Sequence, residues 1–114
     1  MIISRKQYER GHERHIILWN WCILNPFEEK YNCPMWQRVG GKWRRVAVDC
    51  FACHIDGDND CKKCPMEAKA CKCGDNSYFD KWAKAKTAKT RMKYAALIRD
   101  AKWTQYEEWI KIKD

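Results

Sequence analysis

Two Cys-x-x-Cys pairs separated by seven residues constrain this chain more than anything else in it: Cys50-Phe51-Ala52-Cys53 and Cys61-Lys62-Lys63-Cys64. Each pair offers two thiolates about one metal-ligand bite apart, and four thiolates complete a closed tetrahedral site. The seven-residue linker spans roughly 25 Å when extended, so doubling back to one ion is easy. Asp56-Gly57 and Asn59-Asp60 supply the turn chemistry for it. The spacing therefore predicts one structural Zn2+ on Cys50, Cys53, Cys61 and Cys64, although the linker is shorter than is usual between zinc knuckles. Cys71 and Cys73, two apart, are candidates for an additional metal ligand or for packing on the site.

Other readings of the same cysteines stand beside this one. Buried free thiols are common core residues. A disulfide framework suits secreted chains. Cys50-Phe51-Ala52-Cys53-His54 also matches the attachment signature of a c-type haem, with His54 axial and Met66 or Met92 opposite. That reading leaves the second pair unexplained, and covalent haem attachment normally follows export.

At 114 residues the chain reads as one domain with a modest core, which a metal staple would help to hold. It carries a formal charge of +8, and a zinc on four thiolates leaves about +6. Such a charge favours acidic partners: nucleic acid, an anionic surface or an acidic protein patch. The first residues lack the apolar run of a signal peptide, and no stretch is long and apolar enough to cross a membrane. Eight cysteines in such a chain point to the cytoplasm and to metal.

Ser4 and Gln7 form a capping-box pattern ahead of a helix over 4–24, which Asn25-Pro26 ends. Tyr8, His12, His15, Ile16, Trp19, Cys22 and Ile23 share one stripe. Ile17, Trp21 and Leu24 lie opposite, free for the core or for a partner. His12 and His15 could share an ion with Cys22 or Cys33, although buried, hydrogen-bonded histidines are the commoner case. Gly40-Gly41 between 36–39 and 42–48 predicts a β-hairpin over 36–48 that runs into a zinc-knuckle core over 50–73. Pro65 to Ala70 reads as one helical turn. Asp75-Asn76-Ser77 caps a second long helix over about 78–101. Ala85, Ala88, Met92, Ala95 and Ala96 form its small-residue stripe, which is expected to face the first helix. A short final helix carries Trp103, Tyr106, Trp109 and Ile110, so that 77–112 forms a basic, helical C-terminal segment. The fold class expected is α+β: two long helices packed on a small hairpin and zinc-knuckle core, like a zinc ribbon or treble clef.

Six basic residues and no acid lie between Lys81 and Lys93. A solvated helix face is the ordinary explanation of such a run. No His-x-Glu precedes a Pro-Cys-x-x-Cys, so zinc-deaminase chemistry is absent. The acids at 56, 58 and 60 lack the following glycine and distal glutamate of a calcium loop. Four thiolates leave no open coordination position. These points predict a binding module and no enzyme.

His15-Ile16-Ile17-Leu18-Trp19-Asn20-Trp21, the two cysteine pairs ending in Pro65, and the basic stretch from Trp82 to Ile98 together resemble short Cys- and Trp-rich zinc-knuckle proteins of bacteriophages and prophages of low-GC bacteria. The resemblance implies a phage accessory origin, a host bacterial cytosol and a structural zinc, with no activity attached. The leading expectation is a zinc-stabilised protein that binds nucleic acid or a nucleoprotein through Arg38, Lys42, Arg44 and Arg45 of the hairpin and Lys84, Lys86, Lys89, Arg91 and Lys93 of the helix. Trp36 and Trp43 would stack on bases. The alternative is a protein-interaction inhibitor of a host defence complex, of the anti-CRISPR kind, anchored by Ile17, Trp21, Trp103 and Trp109. A haem electron carrier is the remote third.

Overall fold

A computed structural model of the chain describes residues 4–29, 32–34, 64–67, 69–70 and 76–113. Four helices make up most of this part: α1 (Arg5–Leu24), α2 (Tyr78–Lys84), α3 (Ala88–Arg99) and α4 (Tyr106–Lys113).

The first helix starts and stops on local chemistry. The Ser4 hydroxyl accepts from the Gln7 amide at 3.2 Å, and the Gln7 side chain accepts from the Ser4 amide at 3.0 Å. This reciprocal pair satisfies two donors that the helix itself cannot. At the other end both the backbone and the side-chain amide of Asn25 donate to the Trp21 carbonyl, each at 2.9 Å, just before Pro26. Tyr8, Gly11, His15, Leu18, Trp19 and Cys22 form the buried face. Ile16, read as inward, is 38% exposed; it sits at the edge of a stripe that Leu18 and Cys22 centre.

The second long helix expected over 78–101 is two helices. Ala85 adopts extended backbone (φ −65°, ψ 136°) and ends α2, and Thr87 opens α3 by accepting from the Thr90 amide at 3.2 Å. A threonine so placed offers the backbone a cap in place of continued helix. Ahead of α2, Asn76 takes a left-handed conformation (φ 59°), which asparagine tolerates better than most residues. Ser77 then caps the helix, its hydroxyl accepting from the Asp80 amide.

Packing is helix on helix, α1 against α3 and α3 against α2. The main core joins Leu18, Trp19 and Cys22 of α1 to Trp82, Ala95 and Ile98, with Cys33, Met66, Ala70 and Ala101 filling the remainder. Trp19 and Trp82 meet edge to face at 4.9 Å, an arrangement worth about 0.5–1.5 kcal/mol beyond the area it buries. Ala95 is fully buried against this core. A second cluster holds Tyr8 and Trp109, with Trp103, Tyr106 and Ile110 packed on it.

The expected α+β class is therefore corrected. No strand occurs among the described residues, and the body there is helical. The hairpin expected over 36–48 lies outside them, and the described helices bury apolar faces on one another. The helical turn expected over Pro65–Ala70 is met only in part: the Ala70 amide donates to the Glu67 carbonyl at 3.1 Å, but the start of the segment pairs elsewhere. Met66 makes an isolated antiparallel bridge with Trp103, the Glu67 amide donates to the Lys102 carbonyl at 2.9 Å, and the Thr104 amide donates to the Pro65 carbonyl at 2.8 Å. Those bonds hold 65–67 against the segment that joins α3 to α4.

Candidate nucleic-acid interface

The basic residues expected on the second long helix separate into two groups. Lys84, Lys86, Lys89 and Lys93 are exposed, as is Lys81. Arg91 is buried, at 7% exposure. Its guanidinium lies over the Trp82 ring at 4.3 Å from the centroid, donates to the Glu28 carbonyl at 3.3 Å and faces the Glu29 carboxylate at 3.9 Å. Arg91 thus ties the exit of α1 to α3. Its planar cation suits stacking and hydrogen bonding at once, which a lysine could not reproduce. Nothing in its neighbours' sequence marks it as different from the lysines around it.

The exposed group is organised around Tyr94. Lys81 of α2 lies 5.7 Å from the Tyr94 centroid and Lys93 of α3 lies 5.3 Å from it. The Tyr78 ring follows at 6.2 Å, inclined by 32°. Two helices therefore bring cations to one aromatic ring. Lys89 and Lys93 lie four residues apart on α3 and share its face. Lys84 is paired with Asp80 at 3.1 Å, but its side chain is 76% exposed, so the pair is weak and exchangeable. Lys81 and Tyr94 carry the arrangement, and neither is among the binding residues expected from the sequence. Only the break into two packed helices, α2 and α3, brings Lys81 to Tyr94.

Other expected positions fall as follows. Ile17 is 51% exposed on α1. Trp21 and Trp103 are half-buried and pack against the main core. Trp109 is 1% exposed, under Tyr8. The four do not make one outward surface. Met66 is buried in the core and Met92 is 40% exposed. Arg38, Lys42, Arg44, Arg45, Cys50, Cys53, His54, Cys61, Cys71 and Cys73 lie outside the described residues. Cys64 is half-buried against the main core beside Pro65 and Met66.

Among the described residues no group of three or more His, Cys, Asp or Glu side chains is placed to hold a metal ion. The alternative of a shared ion on His12 and His15 with Cys22 or Cys33 is therefore not met, and His15 is the buried, hydrogen-bonded histidine named as the commoner case. His15 Nε2 is instead 2.8 Å from the Ile98 carbonyl. His12 stacks on Trp103 at 4.5 Å and 23°. Burial holds the His12 imidazole below its usual range, partly opposed by Glu13. Among the described residues no helix is long and apolar enough to cross a membrane.

No protein family, curated protein or solved structure matches the chain. The expectation of a phage protein of the anti-CRISPR kind is corrected accordingly, since no comparison supports it; the described residues hold no metal-binding group, and three of the four thiolates of the expected zinc site, Cys50, Cys53 and Cys61, lie outside them.

Proposed function

We propose that this protein binds nucleic acid, or the nucleic-acid component of a nucleoprotein, through the exposed face of α2 and α3. The observation that carries the reading is the convergence of Lys81 and Lys93 on the Tyr94 ring, beside Tyr78. Ammonium groups neutralise phosphates and release counterions, and an adjacent ring gives a base something to stack on whatever its identity. Phosphate contacts fix position and carry no sequence information, so the binding proposed has little sequence preference. The role is binding, not catalysis. Arg38, Lys42, Arg44 and Arg45 would extend the basic surface, and a structural zinc on Cys50, Cys53, Cys61 and Cys64 would hold their segment against the helices. What supports the zinc is the thiolate spacing and the anchoring of Cys64 beside the main core.

A gel-shift series with a single-stranded oligonucleotide tests the reading. Retention at low salt that fades steeply as salt rises is expected, with retention reduced in a Lys81→Gln/Lys93→Gln chain. No retention at low salt would contradict it.

A second reading rests on α1 and its exit, where Ile17, Leu24 and Phe27 are 51%, 79% and 72% exposed. Ile17 and Leu24, seven residues apart, share one face of α1, and exposed apolar side chains on one face suit a protein partner. Ile17→Glu would abolish capture of that partner and leave oligonucleotide binding intact.

A further inference from the structure

The first turn of α1 and the entry to α4 enclose a cleft of about 460 Å³ that shares no residue with the basic face. Three aromatic rings line it. Tyr8 lies 5.8 Å from Trp103 at 79° and 5.5 Å from Tyr106 at 67°, so the rings form adjoining walls rather than a stack. Two of the walls are fixed. The Tyr8 hydroxyl donates to the Thr104 carbonyl, and His12 backs the Trp103 ring. Glu9 and Glu107 add carboxylates to the rim.

Ring faces set at angles to one another, with carboxylates at the edge, are the recognition chemistry of an organic cation. The protein already places one there. The Arg5 guanidinium lies over the Tyr106 ring at 5.9 Å and pairs with Glu107. Both side chains are more than half exposed, at 56% and 51%, so the pair is readily exchanged with solvent or a competitor.

We propose that this cleft is a binding site for an arginine side chain of a partner peptide, and that Arg5 occupies it in the free protein. A guanidinium is favoured over an ammonium because its planar, delocalised cation can face an aromatic ring and still donate from its edge to a carboxylate, and Arg5 already sits between Tyr106 and Glu107. The incoming side chain takes the place of Arg5, which swings into solvent from the first turn of α1.

The test uses the full chain and two small probes, N-acetyl-arginine amide and its neutral isostere N-acetyl-citrulline amide, followed through the assigned Trp103 indole resonance. The arginine probe is expected to shift that resonance saturably and the citrulline probe to leave it in place. Arg5→Ala should tighten the arginine probe several-fold by removing the internal competitor. Tyr106→Ala should weaken it several-fold, and Glu9→Gln, on an exposed side chain, serves as the second rim variant should Tyr106→Ala unfold. No saturable shift, an equal response to citrulline, or an Arg5→Ala chain that binds no tighter would each overturn the proposal. Oligonucleotide binding through Lys81 and Lys93 is untouched by any of these results.

Discussion

His15 Nε2 lies 2.8 Å from the Ile98 carbonyl, joining the middle of α1 to the last turn of α3 across 83 positions of sequence. Both residues are buried. The bond gives a second donor to a C-terminal carbonyl that also accepts from the Ala101 amide at 3.2 Å. Nearby, Arg99 donates to Asn20 Oδ1 at 2.8 Å and makes the same helix pair from the solvent side.

Replacing His15 with leucine keeps the volume and leaves the Ile98 carbonyl buried without that donor. The Ala101 amide still serves that carbonyl, so the expected loss is that of one hydrogen bond, about 0.5–1.5 kcal/mol, read as a lower urea midpoint with an unchanged slope. Asn20→Ala at the exposed partner position should cost well under half as much.

Arg91→Ala removes the cation from the Trp82 face and its hydrogen bond to the Glu28 carbonyl, and opens a gap between α1 and α3. A destabilisation of about 2–4 kcal/mol is expected, measured by denaturant titration. Arg91→Lys should recover only part of it. Neither variant should change the salt dependence of oligonucleotide binding, because Arg91 does not reach solvent.

The half-buried position of His12 gives a pH dependence whose sign follows from its cause. Burial lowers the folded-state value below the ordinary 6.5, so the unfolded chain takes up the proton first. Stability from this group is full above about pH 6.5 and falls as pH drops through that value. The decline ends once pH is below the lower folded-state value. Urea midpoints taken from pH 7.5 to 5 should fall, and His12→Phe, which keeps the stack on Trp103, should flatten the profile in that window.

Elemental analysis tests the thiolate spacing. One zinc per chain is expected, lost on Cys50→Ser or Cys61→Ser, with a lower melting temperature after chelation. A metal-free chain with an unchanged melting temperature would return the cysteines to ordinary core or surface roles.

Local chemistry was legible in the sequence where the cause is local. The capping box at Ser4 and the stop at Asn25-Pro26 set α1, and apolar periodicity found Tyr8, His15, Trp19 and Cys22. Of the small-residue stripe expected to face α1, Ala95 is buried in the core, whereas Met92 is 40% exposed and Ala85 ends α2. Three features were not legible, one because two local conformations compete and two because they depend on contacts distant in sequence. The break between α2 and α3 looked like one alanine-rich helix, since Thr87 is a helix residue by pattern and a cap only by its bond to Thr90. Arg91 looked like one more surface cation, and only the approach of Trp82 and Glu28 buries it. Met66 looked helical after Pro65, and only Trp103, distant in sequence, draws it into a bridge. Of the interface, periodicity indicated exposed lysines. It did not indicate that Lys81 and Lys93 share the Tyr94 ring.

The most direct measurement is fluorescence anisotropy of a labelled single-stranded oligonucleotide against salt, for the native chain and for Lys81→Gln/Lys93→Gln. With both lysines on phosphates, the account predicts that the double variant lowers the log–log slope by about 1.4, close to 0.7 for each phosphate no longer neutralised. A slope that the two substitutions leave unchanged would contradict it.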